Sequence, residues 1–199
     1  MSHFTVLVIG DNIEDQLAPY DEKLETEEYF EKEVSEKEIK EFVDFYAEKS
    51  PENKKLSVEE LYKKVGEDWN YNCWRFEDGK INEYSTYNPD SKWDWWVVGG
   101  RWRGYFKLKE GKTGELGESG LGDNDPEYDA DIALKGDIDG KIQPTFAVVK
   151  DGEWYEKGNM GWWGIVSNRK EQKDWDKEFE RLLKDVSDDT LLTIIDCHI

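Results

Sequence analysis

Apolar and polar positions change period several times along the chain, and each change marks an element. Phe4 to Ile9 is a short run of β-branched and aromatic residues ending at Gly10-Asp11-Asn12, which predicts a buried first strand and a turn. Ser35 with Glu38 forms a capping-box pattern ahead of Ile39, Phe42, Val43 and Tyr46, one stripe at helical spacing. Ser57 with Glu60 repeats the device before Leu61, Tyr62 and Val65, in a shorter helix expected to stop at Gly66.

Gly99-Gly100 interrupts an alternating aromatic segment and predicts a tight hairpin turn, because both glycines accept positive φ. Residues 109–144 are rich in glycine and carboxylates and poor in large apolar side chains, a composition expected of a flexible insertion. Thr145 to Lys150 and Glu153 to Lys157 flank Asp151-Gly152 and predict a second hairpin. Trp175, Phe179, Leu182, Leu183 and Val186 share one face of a helix from about Arg169 to Val186, and Leu191 to Ile199 reads as a closing strand. The order predicts a single α+β domain over 1–199. A ferredoxin-like sandwich is expected, an antiparallel sheet with helices on one face and its first and last strands as neighbours.

Charge narrows the function. The formal net charge is −20 at pH 7, which repels phosphate backbones and anionic membranes and argues against direct nucleic-acid binding. From Asp11 to Glu48 the acidic residues lie mainly on the wet side of the helices. The opening residues carry no basic region and too few apolar positions for a signal peptide or a membrane span, so a cytoplasmic protein is expected. Cys73 and Cys197 show no paired metal spacing and are expected as reduced thiols, with Cys197 buried.

Two constellations can carry chemistry. The chain has two histidines: His3 opens the first strand and His198 ends the last. With those strands paired, alternation brings His3, Thr5, Asp196 and His198 together if their faces coincide. Two imidazoles with a carboxylate can bind a divalent metal or act as acid and base; hydrogen bonding at a sheet margin is the plainer alternative. His3-Phe4-Thr5 also fits the His-x-Thr pattern of two-histidine phosphoesterases, although the second such motif is missing.

The other constellation is aromatic. Trp93, Trp95, Trp96 and Trp102 place four of ten tryptophans beside Gly99-Gly100-Arg101, and Trp162-Trp163 sits between glycines. Trp95, Trp96, Trp102, Trp162 and Trp163 can stack on a base or sugar, with Arg101 on an anionic group; core filling is the alternative for each. Asp123, Asp125, Asp129, Asp131, Asp137 and Asp139 do not match the spacing of a twelve-residue calcium loop and read as a solvated acidic loop.

Ser2-His3-Phe4-Thr5-Val6-Leu7-Val8, Asn88-Pro89 with Lys92-Trp93-Asp94-Trp95-Trp96-Val97-Val98-Gly99-Gly100-Arg101-Trp102, Met160-Gly161-Trp162-Trp163-Gly164 and the terminal Asp196-Cys197-His198-Ile199 together resemble a group of uncharacterised proteins from bacteriophages and their hosts. The resemblance implies a phage accessory protein acting in the host cytoplasm, with action against a host defence as one role it suggests, and assigns no catalytic residue. Three functions remain open at this point. They are capture of a small, nucleotide-like ligand in a tryptophan-lined pocket, hydrolysis by His3 and His198 with or without a metal, and acidic mimicry of nucleic acid that occupies a host protein.

Overall fold

The computed structural model describes residues 2–69, 71, 73–119 and 127–199. The chain divides into two compact units, Met1–Leu24 with Asn88–Ile199, and Glu25–Tyr87. The sequence shows no linker because the smaller unit is inserted within the larger one, so the single domain expected over 1–199 resolves into two bodies.

In chain order the larger unit contains β1 (His3–Ile9) and α1 (Ile13–Leu17). The smaller unit contributes β2 (Tyr29–Glu33), α2 (Glu36–Lys49), α3 (Val58–Trp69), β3 (Trp74–Glu77) and β4 (Lys80–Ser85). The larger unit resumes with β5 (Trp95–Gly100), β6 (Glu118–Ser119), β7 (Ile132–Leu134), β8 (Ala147–Lys150), β9 (Glu153–Glu156), β10 (Asn159–Met160), β11 (Val166–Ser167), α4 (Gln172–Lys184) and β12 (Leu191–His198). No helix among the described residues is long and apolar enough to cross a membrane.

The class is α+β, and the main sheet runs β6-β5-β12-β1-β8-β9, with β7 also on β12. β1 and β12 pair antiparallel from His3↔His198 to Ile9↔Leu192, so the first and last strands are neighbours as the expected topology has them. The expected all-antiparallel sheet is corrected: β8 runs parallel to β1. The connection between them is long enough for a crossover, which parallel neighbours require. It seats the first strand of the β8–β9 hairpin against β1, whereas a ferredoxin-like order would seat the second strand there. The hairpin turn itself is as read, with Asp151 and Gly152 both at positive φ.

Both faces of this sheet are covered, so helices on one face alone is also corrected. Leu7, Ile9, Val148, Leu192 and Ile194 pack against Trp175, Phe179 and Leu182 of α4. On the opposite face Phe4, Val6, Val8, Ile195 and Cys197 meet Leu17 of α1 and Trp93. Burial on two sides explains why β1 is continuously apolar rather than alternating.

The stretch 109–144 does not behave as the loosely docked insertion its composition predicts. Ala130, Ala133 and Ile138 join the α4-side core, and β7 pairs with β12 from Ile132↔Thr193 to Leu134↔Leu191. Small side chains there fill a tight space beside the sheet. Residues 120–126, with Asp123 and Asp125, lie outside the described residues.

Gly99 and Gly100 are not a hairpin turn. They end β5 at φ 78° and 54°, and the next strand beside them, β6, is parallel. A Cβ on Gly99 would lie 2.7 Å from Asp131 Oδ2, and one on Gly100 2.4 Å from Asp196 Cβ and Oδ2. The glycines are there for close approach of two buried carboxylates.

In the smaller unit the sheet β2-β4-β3 carries a core of Val34, Tyr62 and Ile81, with Phe42 stacked on Tyr62 at 3.8 Å. Both capping boxes form: Ser35 with Glu38, and Ser57 with Glu60. Hydrogen bonds from Lys32 and then Ser35 hold the Glu38 carboxyl down at about 2. α3 continues past Gly66 to Trp69, and Gly66 instead lets Tyr71 N–H donate to its carbonyl at 2.7 Å.

Candidate functional site

The β1–β12 register determines the site. His3 and His198 are directly opposite, and Asp196 is opposite Thr5, so all four residues share the α4-side face of the sheet. The register of β5 on β12 adds Trp95 opposite His198.

The two imidazoles meet edge to face, with ring centroids 5.0 Å apart and an interplanar angle of 73°. His3 Nδ1 lies 2.9 Å from Asp196 Oδ1, and His198 Nδ1 lies 2.5 Å from Asp94 Oδ1. A carboxylate only accepts hydrogen bonds, so each Nδ1 carries the proton and each Nε2 presents a lone pair in the neutral ring. Neither Nε2 has a hydrogen-bond partner among the described residues. The site is therefore two histidine–carboxylate dyads placed ring against ring.

Both aspartates are themselves held, Asp196 at its carboxylate and Asp94 at its backbone. Asp196 is 1% exposed, and its Oδ2 accepts the Arg101 backbone N–H at 3.0 Å. Asp94 is more open, and Lys23 Nζ donates to its backbone carbonyl at 3.0 Å. Trp95 covers the pair: it stacks on His198 at 5.2 Å and 15°, and stands edge-on to His3 at 5.4 Å. The histidine side chains are only 11% and 7% exposed, whereas Trp95 is 40% exposed and turns its other face outward.

Thr5 converges in register but has a structural task, since its Oγ accepts the Phe146 N–H at 3.1 Å and ties β1 to the start of β8. Cys197 faces the other way, fully buried; desolvation and then the Asp196 charge push its thiol well above the usual range.

The tryptophans do not form one cage. Trp95 and Trp96 lie on opposite faces of β5, Trp96 packing on the α1-side core. Both line an open groove of about 710 Å³ with Val97, Leu116 and Gly117. Trp102 packs against the α4-side core, and the Arg101 side chain is exposed and outside that groove. Trp163 is 79% exposed at a hairpin tip. The Trp162 side chain lies outside the described part of the structure.

Among the described residues no group of three or more histidine, cysteine, aspartate or glutamate side chains is arranged to hold a metal ion. The aspartates of 127–144 are committed elsewhere. Asp131, with 0% exposure, accepts backbone N–H groups from Gly104 at 2.7 Å and Tyr105 at 3.1 Å on Oδ1, and from Gly117 at 2.9 Å on Oδ2. Asp129 accepts Leu108 N–H, while Asp137 and Asp139 pair with Lys112 and Lys107.

Asp94 is the site residue that sequence alternation misses. Strict alternation puts Trp93 and Trp95 on one face, yet Trp93 is in the α1-side core and Trp95 on the histidine side. A bend at Asp94, whose N–H donates to the His198 carbonyl at 3.0 Å, swings its carboxylate onto the histidine side.

Comparison of the chain with protein-family models, with curated proteins and with solved structures finds no match.

Proposed function

We propose that this chain is a metal-independent hydrolase of small phosphoesters in which His3 and His198 act as the acid and base. The observation that carries the reading is the pair of imidazoles at 5.0 Å, each with a carboxylate on Nδ1 and an Nε2 without a hydrogen-bond partner among the described residues. One neutral Nε2 takes a proton from water as the water oxygen attacks phosphorus. The other, as imidazolium, gives its proton to the leaving oxygen as the ester P–O bond breaks, releasing an alcohol and a phosphomonoester. Asp196 and Asp94 fix both tautomers and stabilise whichever ring is charged.

Lys23 Nζ, which donates to the Asp94 backbone carbonyl, supplies one positive charge beside that dyad, and the Arg101 backbone N–H holds Asp196 Oδ2. A small substrate suits the net charge of −20 better than a polyanion does. The resemblance of the terminal and tryptophan motifs to proteins of bacteriophages and their hosts supports reading such an enzyme as a phage accessory protein working in the host cytoplasm.

The test is turnover, in the presence of a chelator, of methyl p-nitrophenyl phosphate and the p-nitrophenyl ester of thymidine 5′-monophosphate. Wild type should release p-nitrophenol, and His3→Ala and His198→Ala should each lower the rate by about 10²-fold or more. Absence of wild-type turnover on both esters overturns the reading. A second reading, ligand capture without turnover, is favoured by the open groove beside Trp95 and Trp96. It predicts nucleotide binding that survives loss of both histidines.

A further inference from the structure

We infer that the groove beside Trp95 is the substrate subsite of the two-histidine centre, taking a neutral aromatic group of the phosphoester, and that Glu118 is its specificity-determining residue. The inference rests on the hydrolase reading for the phosphoester and on the groove itself for everything else.

Strand register ties the groove to the histidines. Trp95 lies opposite His198 and Val97 opposite Asp196 in the β5–β12 ladder, and both also line the groove. The Trp95 indole is thus a shared wall: it stacks on His198 at 5.2 Å, stands edge-on to His3, and borders the groove. A phosphoester held at the two imidazoles has this cleft beside the ring that covers them.

The groove exists because β6 is short. β6 pairs with β5 at Gly99 and Gly100 alone, so the described residues add no strand along Trp95–Val98 on that side. The far wall is fixed in place. Gly117 N–H donates to the buried Asp131 Oδ2 at 2.9 Å, and the Gly117 carbonyl accepts from Arg103 Nε at 3.0 Å. A Cβ at Gly117 would run into the Val98 carbonyl oxygen, so glycine lets the wall close up to β5. A preformed cleft of about 710 Å³ suits a small organic ligand.

The lining sets the chemistry of that ligand. Trp95, Trp96, Val97, Leu116 and Ile132 present rings and aliphatic side chains, and Trp95 and Leu116 are each 40% exposed. In a chain with 37% charged residues, Glu118 is the one charged side chain among the described residues of the lining. An apolar cleft bordered by an indole takes a flat ring, and a carboxylate in its lining repels an anionic one. Glu118 therefore separates neutral aryl esters from esters whose aryl group carries a second negative charge.

The experiment measures binding of dimethyl phosphate, methyl phenyl phosphate and methyl 4-carboxyphenyl phosphate by NMR titration, alongside turnover of the two p-nitrophenyl esters. The three diesters share one phosphate and differ in the group offered to the groove. Wild type should bind the phenyl ester about tenfold more tightly than the dimethyl ester, and the carboxyphenyl ester no better than the dimethyl ester. Glu118→Gln should recover most of the affinity for the carboxyphenyl ester and leave the phenyl ester unchanged. Leu116→Ala should weaken the phenyl ester and leave the dimethyl ester unchanged. Both substituted positions are exposed, so the fold is expected to survive either change. Equal affinity for the phenyl and dimethyl esters, or no binding of any of the three, overturns the inference whatever the turnover result. So does phenyl affinity untouched by Leu116→Ala, or discrimination against the carboxyphenyl ester that persists in Glu118→Gln. The hydrolase reading falls separately, if wild type cleaves neither p-nitrophenyl ester; a phenyl preference governed by Leu116 and Glu118 would still support the groove as an aryl-phosphate subsite.

Discussion

His3 and His198 are Cα partners in the β1–β12 ladder, and their rings meet at 5.0 Å although they lie near the two ends of the chain. Strand pairing creates the juxtaposition, and the dyad carboxylates convert it into two oriented bases. Acid and base roles can be separated by leaving group. The imidazole that protonates the leaving oxygen matters less when that oxygen is already stable as an anion. Replacing p-nitrophenol by methanol as the leaving group should deepen the defect of one alanine variant and leave the defect of the other nearly constant. Steady-state rates of His3→Ala and His198→Ala on the two types of ester check this, and equal sensitivity of both variants would mean that neither acts as the acid.

Gly100 should be intolerant of any side chain. At φ 54° an alanine is strained, and its Cβ would stand 2.4 Å from Asp196 Cβ and Oδ2. Relief requires β5 or Asp196 to move, and Asp196 holds His3. Gly100→Ala is expected to cost about 2–4 kcal/mol in stability and to lower turnover in the molecules that remain folded. Urea denaturation with activity measured below the transition separates the two effects. Gly111→Ala serves as the control, because its Cβ meets nothing within 4 Å and only the positive φ is at issue.

Asp131 is a structural carboxylate in the midst of an acidic stretch. It satisfies three backbone N–H groups from Gly104, Tyr105 and Gly117, and it is fully buried. Removing it strands buried donors, each costing about 1–3 kcal/mol. Asp131→Ala should therefore destabilise by at least about 3 kcal/mol. Asp139→Ala should shift stability by less than about 1 kcal/mol, since an exposed Lys107–Asp139 pair contributes little. Chemical denaturation of the two variants tests the contrast directly.

The sequence is legible where one periodicity dominates. β1, β12, α4 and the Asp151-Gly152 hairpin follow from alternation, helical spacing and turn chemistry, and so does the meeting of His3, Asp196 and His198. Reading stops where the chain bends or where a residue's partner is distant. Asp94 reaches His198 through a bend that resets alternation between Trp93 and Trp95. Asp131 looks like one of many surface carboxylates until Gly99 is seen pressed against it. Gly99-Gly100 carries a hairpin signal because positive φ serves turns and close approach equally well. The parallel seating of β8 depends on a crossover that includes an inserted unit, which local pattern does not encode.

Tyr105 gives a pH test of the packing around this region. Its hydroxyl donates to the Gln143 carbonyl at 3.0 Å, and burial pushes the phenol up to about 12. In the unfolded chain a tyrosine titrates near 10. A folded value above the unfolded one means that the native state holds its proton more tightly. The corresponding stabilisation is complete below pH 10 and is lost as the pH rises from 10 to 12. Tyr62, raised to about 12 chiefly by burial and then by Glu83 and Glu38, follows the same sign in the smaller unit. Urea midpoints measured between pH 8 and 12 should be level at first and then fall above pH 10. Tyr105→Phe should have a lower midpoint at pH 8, where the hydroxyl's hydrogen bond is missing, and a shallower decline above pH 10. A variant whose decline matches that of wild type would show that the Tyr105 phenol ionises as freely in the folded protein as in the unfolded chain.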